Sequence, residues 1–242
     1  MNQSTCISIQ SVDKSFGKKK VLDSIDLNVQ TSEIFGLLGP SGAGKTTLVR
    51  MIAGIDTPSS GRVTVLNTPM PDLTIMQRIG FMAQSDALYT ELTARENLDF
   101  FAGIYGLRGS KKAERIKRVM EIVNLSEEMN KVVRNYSGGM KRRLSLAISL
   151  LHEPEILVLD EPTVGIDPIL RQSIWAELEK LSAQGVTILV TTHVMDEADK
   201  CHRLAMMRDG KIIAIGSPND MKEETQASSL EAAFLAYGGA AR

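Results

Sequence analysis

Residues Gly39-Pro40-Ser41-Gly42-Ala43-Gly44-Lys45-Thr46 fit the pattern G-x-x-x-x-G-K-[ST] over its full length. Glycines at this spacing let backbone N–H groups turn inward around phosphate oxygens. A helix that follows adds the partial positive charge of its N-terminus. In such a loop Lys45 neutralises the β- and γ-phosphates, and the Thr46 hydroxyl ligates Mg²⁺. A second group lies downstream, where Ile156-Leu157-Val158-Leu159 ends in Asp160-Glu161. An apolar strand ending in two carboxylates presents them at the carboxyl edge of an α/β sheet, where ligands bind. Asp160 there suits the Mg²⁺ shell, directly or through water. Glu161 suits polarising a water that attacks the γ-phosphate. Without the phosphate loop upstream, two solvated acids at a strand end would be the simpler reading. Together the groups indicate binding and hydrolysis of a nucleoside triphosphate, and the loop alone does not say by which class of enzyme.

These groups need a strand to deliver the loop and a helix to follow it. Glu33 to Leu38 reads as a buried strand entering the loop, and the spacing predicts a helix from about Lys45 to Ala53. Upstream, Ile7, Ile9 and Val12 alternate roughly with polar residues as in a half-buried strand, and Leu22, Ile25, Leu27 and Val29 form a second strand-like segment. Pro58-Ser59-Ser60-Gly61 reads as a turn, with a strand from Arg62 to Leu66. From about Ala87 to Leu151 the spacing becomes helical, notably in Glu96 to Phe101 and Ala113 to Val123. This predicts an inserted helical lobe with Val119, Ile122 and Val123 as a small core and Lys111-Lys112 on a solvated face. Strands resume at Ile156 to Leu159, Val186 to Thr191, and Ala205 to Met207 with Ile212 to Ile215, and a helix runs from Ile169 to Leu181. Strands alternating with helices imply a parallel sheet covered on both sides. Ser228-Ser229-Leu230-Glu231 reads as a capping box opening a last short helix. The expected organisation is one α/β domain, with residues 1–86 and 152–242 forming the sheet-bearing part and 87–151 the helical lobe.

Tyr136-Ser137-Gly138-Gly139-Met140-Lys141-Arg142-Arg143 stands shortly before the acidic strand. Ser137 can cap a helix beginning near Met140, and the glycines let a phosphate reach the exposed N–H groups. In isolation the stretch is an ordinary helix start. Following the phosphate loop and preceding the acidic pair, it resembles the signature motif of ABC ATPases, whose common form is Leu-Ser-Gly-Gly-Gln. The resemblance covers nearly the whole chain, with the motifs in the family's order. It implies a RecA-like P-loop NTPase core with an N-terminal antiparallel β subdomain and an inserted helical subdomain. ATP and Mg²⁺ are the implied cofactors. Gly39, Pro40, Ser41, Gly42, Ala43, Gly44, Lys45, Thr46 and Thr47 are the implied nucleotide contacts. Gln84 matches the Q-loop, which senses Mg²⁺ and couples to a membrane partner. Asp167, in Val164-Gly165-Ile166-Asp167, matches the D-loop at the dimer contact. His193 matches the switch histidine that reaches the γ-phosphate, and Phe16 the aromatic that stacks on adenine. Ser137, Gly138, Gly139 and Met140 would complete the site of a second subunit docked head-to-tail. Read singly, His193 would be a core histidine, Gln84 a surface amide, Phe16 a core aromatic and Asp167 a loop acid.

The chain departs from the common pattern at Tyr136, Met140, Val164 and Ala83, and no departure removes a phosphate ligand or the catalytic carboxylate. Tyr-Ser-Gly-Gly-Met with its basic run, and Thr163 to Pro168, look like the branch that exports drugs, antibiotics and polysaccharides. The implied partners are an integral membrane permease subunit and a second ATPase subunit, as a homodimer, at the cytoplasmic face of the cell membrane. A soluble relative acting on nucleic acid or the ribosome is the rival reading. Such relatives usually carry two cores or a long coiled coil, and this chain shows one core and no heptad run. A P-loop kinase or GTPase is a third; the sequence has no Asn-Lys-x-Asp guanine motif. The short stretch after Gly216-Ser217-Pro218 suggests no regulatory domain of the importer kind.

Bulk properties agree. With 242 residues, 43% of them hydrophobic, the chain can bury a sizeable core. A formal net charge of −1 supplies no field that would draw it to nucleic acid. Cys6 and Cys201 have no CxxC or His/Cys company, so neither a disulfide framework nor a zinc site is expected. Met1 to Thr5 carries no basic or apolar leader pattern. Apolar runs fall far short of the roughly 20 residues that span a bilayer.

Overall fold

The computed structural model describes residues 4–239. Met1, Asn2 and Gln3, most of the segment read above for a leader, lie outside the described residues. The chain opens with two long strands, β1 (Thr5–Phe16) and β2 (Lys19–Gln30). Strand β3 (Ile34–Leu38) runs into the phosphate loop and helix α1 (Lys45–Ile52). Strand β4 (Ser60–Val65), β5 (Thr68–Pro69), α2 (Leu73–Met76) and β6 (Ile79–Met82) follow. Three longer helices come next: α3 (Ala94–Ile104), α4 (Gly109–Ile122) and α5 (Gly138–Leu150). The chain then alternates through β7 (Ile156–Asp160), α6 (Pro168–Ala183), β8 (Thr187–Thr192), α7 (Met195–Ala198) and β9 (Arg203–Arg208). It closes with β10 (Lys211–Gly216), α8 (Pro218–Glu224) and α9 (Leu230–Gly239).

Two sheets result. One is four-stranded in the order β2-β1-β4-β5, with every pairing antiparallel. The other is six-stranded in the order β10-β9-β3-β8-β7-β6. Its strands run parallel except β10, which is antiparallel to β9. That edge departs from the expected all-parallel sheet for a local reason. Asp209 and Gly210, at φ 49° and 76°, make a two-residue turn of both-positive φ. Such a turn joins only antiparallel neighbours, whereas a parallel connection needs a long crossover.

Every residue of β3, β7 and β8 is buried. Alternation still operates, because each strand feeds two different cores. Leu157, Leu159, Ile188 and Val190 pack on one side with Trp175 of α6 and Leu146 of α5. Phe35, Leu37, Val158 and Leu189 pack on the other with Leu48 and Met51 of α1 and with Ile7, Ile9 and Leu27 of the antiparallel sheet. In β1 the apolar spacing lengthens between Ile9 and Val12, because the pairing register shifts there around Ser11 at φ 46°.

Helix α3 starts at Ala94, later than the spacing from Ala87 suggests. Thr93 and Glu96 form its capping box. The irregular stretch before it is tied down by Asn97, a fully buried amide whose Oδ1 accepts from Tyr89 N at 2.9 Å and whose Nδ2 donates to Tyr89 O at 3.0 Å. Val119 and Val123 are fully buried and Ile122 partly so, but they join the core that includes Leu157 and Leu159 rather than closing a small one of their own. Lys112 is paired with Asp99 at 2.8 Å. The last helix is capped by Ser229, whose Oγ accepts from Ala232 N at 3.2 Å. The box expected from Ser228 to Glu231 is therefore displaced by one residue, and Glu231 falls one position short of the place where it could close it.

His152, just beyond α5, stacks on Tyr105 at the end of α3 with ring centroids 3.8 Å apart, and its Nε2 lies 3.2 Å from Ile79 O. Burial pulls its pKa from the ordinary 6.5 to about 4. The unfolded chain therefore takes up a proton that the folded chain refuses, so stability is full above about pH 6.5 and falls as pH drops toward 4. His152→Phe keeps the stack and removes the titration. Urea unfolding at pH 7.5 and pH 5 is expected to show wild type losing as much as about 2 kcal/mol more than the variant. Equal losses in the two proteins would refute the assignment.

Candidate nucleotide site

The phosphate loop leaves β3 against β9. A Cβ on Gly39 would sit 2.3 Å from Met207 O, so the approach of the two backbones admits no side chain. Gly42 and Gly44 take φ 82° and 101°, a region open to glycine. No side chain caps the N-terminus of α1. Its first amides point at the loop as an anion cradle. Lys45 is 5% exposed and donates to Gly39 O at 2.6 Å and Pro40 O at 3.0 Å. Burial lowers its pKa, while Glu161 and Asp160 pull it back up.

The two acids are set apart by their surroundings. Asp160 is 1% exposed; its Oδ1 accepts from the Thr191 hydroxyl at 2.5 Å, and its Oδ2 is buried with no hydrogen-bond partner. Glu161 stands at φ 52°, left-handed for a non-glycine residue. Its backbone N–H donates to Thr191 Oγ1 at 3.0 Å. Its Oε1 lies 3.1 Å from His193 Nδ1, and its Oε2 accepts from Gln84 Nε2 at 3.3 Å. Gln84, Glu161 and His193 thus form one polar cluster at the edge of the sheet.

A cavity of about 610 Å³ is lined by Ser41, Gly42, Gly44, Lys45, Thr46, Thr47, Gln84 and Glu161. Lys19, Lys20 and Val21 after the first turn, and Asp209 and Gly210 of the last hairpin, close its far side. Phe16 does not line it. The ring stands 54% exposed at the end of β1, with Lys14 Nζ 4.9 Å from its centroid. Thr46, Gln84 and Asp160 line one adjoining cavity of about 500 Å³. A hydroxyl, an amide and an orphaned carboxylate oxygen form an all-oxygen donor set, which suits Mg²⁺ completed by phosphate and water. The donors present therefore fit that ion.

The Ser137 segment lies elsewhere. Ser137 caps α5, accepting from Met140 N at 3.2 Å. Nothing would meet a Cβ on Gly138 within 4 Å, so that backbone is open to approach. The Met140 side chain packs against the core instead of facing the opening. Tyr136 is buried and donates its hydroxyl to Glu128 O at 2.7 Å. A second cavity, of about 640 Å³, is lined by Ser137, Gly138, Gly139, Val164, Gly165 and Asp167. Gln84 and Glu161 line this cavity as well as the first. Asp167 is also the cap of α6, accepting from Leu170 N at 3.0 Å.

Fold and site together define a nucleotide-binding cassette of the P-loop class. Residues 22–164 match the family model described as ABC transporter. The chain is 42% identical over 238 residues to the probable multidrug ABC transporter ATP-binding protein YbhF of Escherichia coli, a match covering 96% of this chain and 41% of that protein. It is 42% identical over 223 residues to the Nod factor export ATP-binding protein I of Rhizobium etli, covering 91% of this chain and 71% of that one. Among solved structures, the dimeric ATP-binding cassette MJ0796 in a post-hydrolysis state bound to ADP and Pi superposes with a TM-score of 0.81 at 28% identity, covering 87% and 98% of the two chains. An ATP-binding subunit of an ABC transporter shares the fold at a TM-score of 0.88 and 24% identity, covering 97% of this chain and 100% of that one. The chain belongs to the ABC transporter family.

The sequence reading did not single out Thr191, Lys19, Lys20 or Arg142. The turn Gly17-Lys18-Lys19-Lys20 and the hairpin signal Asp209-Gly210 carried the information for the cavity's far side. Replacing Lys45 by Ala is expected to weaken ATP binding by about 10- to 100-fold, since a charge-assisted hydrogen bond contributes about 1.5–3 kcal/mol. Calorimetric titration measures this, and an unchanged affinity would remove Lys45 from the site.

Proposed function

We propose that this chain binds ATP with Mg²⁺ and hydrolyses it as one of an identical pair, powering export through a membrane permease from the cytoplasmic side. The observation that carries the reading is the division of phosphate-binding groups between two cavities. Lys45 and the amides of α1 face one; Ser137 and the open Gly138 backbone, at the start of α5, face the other. Both are helix N-termini fit for an anion. Two copies docked head-to-tail would bring the signature of each to the loop of the other, and each ATP would be held between them. The dimeric state of the MJ0796 cassette supports this arrangement.

Within such a site each group has a task. The loop amides and Lys45 hold the β- and γ-phosphates. Thr46, Asp160 Oδ2 and the amide oxygen of Gln84 hold Mg²⁺, which when bound supplies neutralisation of phosphate charge. Glu161 accepts hydrogen-bonded water and orients it. His193, beside Glu161, donates toward the γ-phosphate and holds the carboxylate's direction. Ser137 and its helix N-terminus from the partner add charge stabilisation in the transition state. Phe16, exposed at the strand end, offers a face to adenine, and Asp167 a polar contact at the seam. The helical lobe, residues 87–151, would move on closure, and the surface near Gln84 with the segment from Asp86 to Asn97 would pass that motion to the permease.

Export is supported by the printed names of the relatives, one of a multidrug transporter and one of Nod factor export. The chain spans less than half of the YbhF protein it matches. Among the described residues no helix is long and apolar enough to cross a membrane.

Glu161→Gln keeps the shape of the side chain, turns one acceptor oxygen into an amide donor and removes the base. It is expected to lower turnover by about 100-fold or more, the range for losing a general base. With ATP it is expected to accumulate as a dimer in light scattering. A variant that hydrolyses at the wild-type rate, or stays monomeric with ATP, would overturn the reading.

A further inference from the structure

Arg142 lies on α5, five residues beyond Ser137, and is 6% exposed. Its guanidinium collects main-chain oxygens from two loops. Nη1 donates to Ala83 O at 2.7 Å and Gln84 O at 2.9 Å. Nε and Nη2 donate to Glu161 O at 3.2 Å and 2.8 Å, and Nη2 also reaches Asp160 O. Asp86 Oδ1 lies 3.6 Å from Nη1 and accepts from the Ser145 hydroxyl at 2.8 Å. Residues 142 and 145 share a helix face, so α5 grips the stretch 83–86 at two points.

The backbones held in this way carry the functional groups. Glu161 sits at φ 52°, which for a non-glycine residue persists only where the surroundings enforce it. Thr191 holds its N–H and Arg142 its C=O. A planar fork of five donors can span carbonyls 83–84 and 160–161 together. A lysine ammonium, a compact charge with three donors, cannot.

We propose that Arg142 is a positioning residue for hydrolysis, locking the backbones of Gln84 and Glu161 to the helix that Ser137 heads. The proposal rests on the paired reading above. One helix then joins the half-site a chain offers its partner to the half-site it keeps. A γ-phosphate arriving at Ser137 from the partner is thereby felt at the chain's own Glu161, and the two ATP sites become coupled.

The test uses the full chain with Arg142→Lys and Arg142→Ala. Fluorescent-ATP affinity is expected to stay within about twofold of wild type, the split that marks a lost catalytic rather than binding contribution. Turnover is expected to fall about 10- to 100-fold, the range for losing an orienting contact, and the Hill coefficient for ATP to fall toward one. Millimolar guanidinium ion is expected to restore part of the turnover of Arg142→Ala and leave wild type unchanged. Wild-type turnover and cooperativity in both variants overturn the proposal. So does a loss that follows the unfolded fraction and does not respond to guanidinium. If the alanine variant does not fold, Arg142→Lys and Ser145→Ala carry the test: reduced turnover at unchanged affinity in the lysine variant, with a smaller loss on releasing Asp86, supports it, and normal turnover in both refutes it. Light scattering of Glu161→Gln with ATP separates the two readings. Failure of that variant to dimerise removes the pairing itself. A normal dimer beside fully active Arg142 variants removes only the role of Arg142.

Discussion

The register of the parallel sheet is the constraint on which the site depends. Leu38 pairs with Thr192 and with Met206, Asp160 with Thr191, and Met82 with Leu159. The phosphate loop, the two acids, the histidine and the glutamine therefore leave the sheet within a residue or two of one row. Burial on both faces holds that row in place. Because Phe35 and Leu37 serve one core while Leu157 and Leu159 serve the other, a one-residue slip would exchange every side chain between cores of different shape. Packing at the interior of the sheet thus sets distances of a few ångströms at its edge.

Electrostatics then divides the labour at that edge. Thr191 is fully buried and serves both acids, donating its hydroxyl to Asp160 and accepting the amide of Glu161. One acid is fixed with a single free oxygen, as a cation ligand requires. The other is turned outward on a strained backbone, toward His193 and Gln84. Lys45 meets the opposite demand. Burial favours its neutral form and lowers its pKa, and the nearby carboxylates oppose that shift. No side chain caps α1, so its first amides and those of the loop are left to receive an anion.

Much of this was legible in the residues. The phosphate loop, the acidic pair and the Ser137 cap are local patterns whose chemistry depends on neighbours in sequence, and the structure places them at a strand–loop–helix turn, a strand end and a helix start. Long-range pairings were not legible. Thr191 reads as one more β-branched residue of a buried strand, and nothing near Arg142 in sequence reveals that its partners are carbonyls at 83, 84, 160 and 161. Core membership failed for the same reason, since Val119 and Val123 meet Leu157 and Leu159 only in the fold. The antiparallel β10 and the Ser229 cap are different. Asp209-Gly210 and the second of the two serines are local signals, each beside a competing local pattern, β-α alternation in one case and Ser-x-x-Glu in the other.

The stretches that begin at Ser137 and Val164 form one surface. A Cβ on Gly139 would lie 3.0 Å from Gly165 O, so the two loops touch backbone to backbone within one chain. Asp167 continues that contact by capping α6, much as Ser137 caps α5. Two capped helices therefore present their starts side by side, with Val164 and Ile169 exposed beside them. A surface of this kind combines helix-start amides able to hold an anion with apolar groups that water solvates poorly. In the pair proposed above, both would be covered by the same event, the arrival of another molecule's bound triphosphate and the protein around it. Nucleotide binding and pairing would be linked there by mass action, each strengthening the other. In that pair hydrolysis, by removing the γ-phosphate, would remove the contact that favours it.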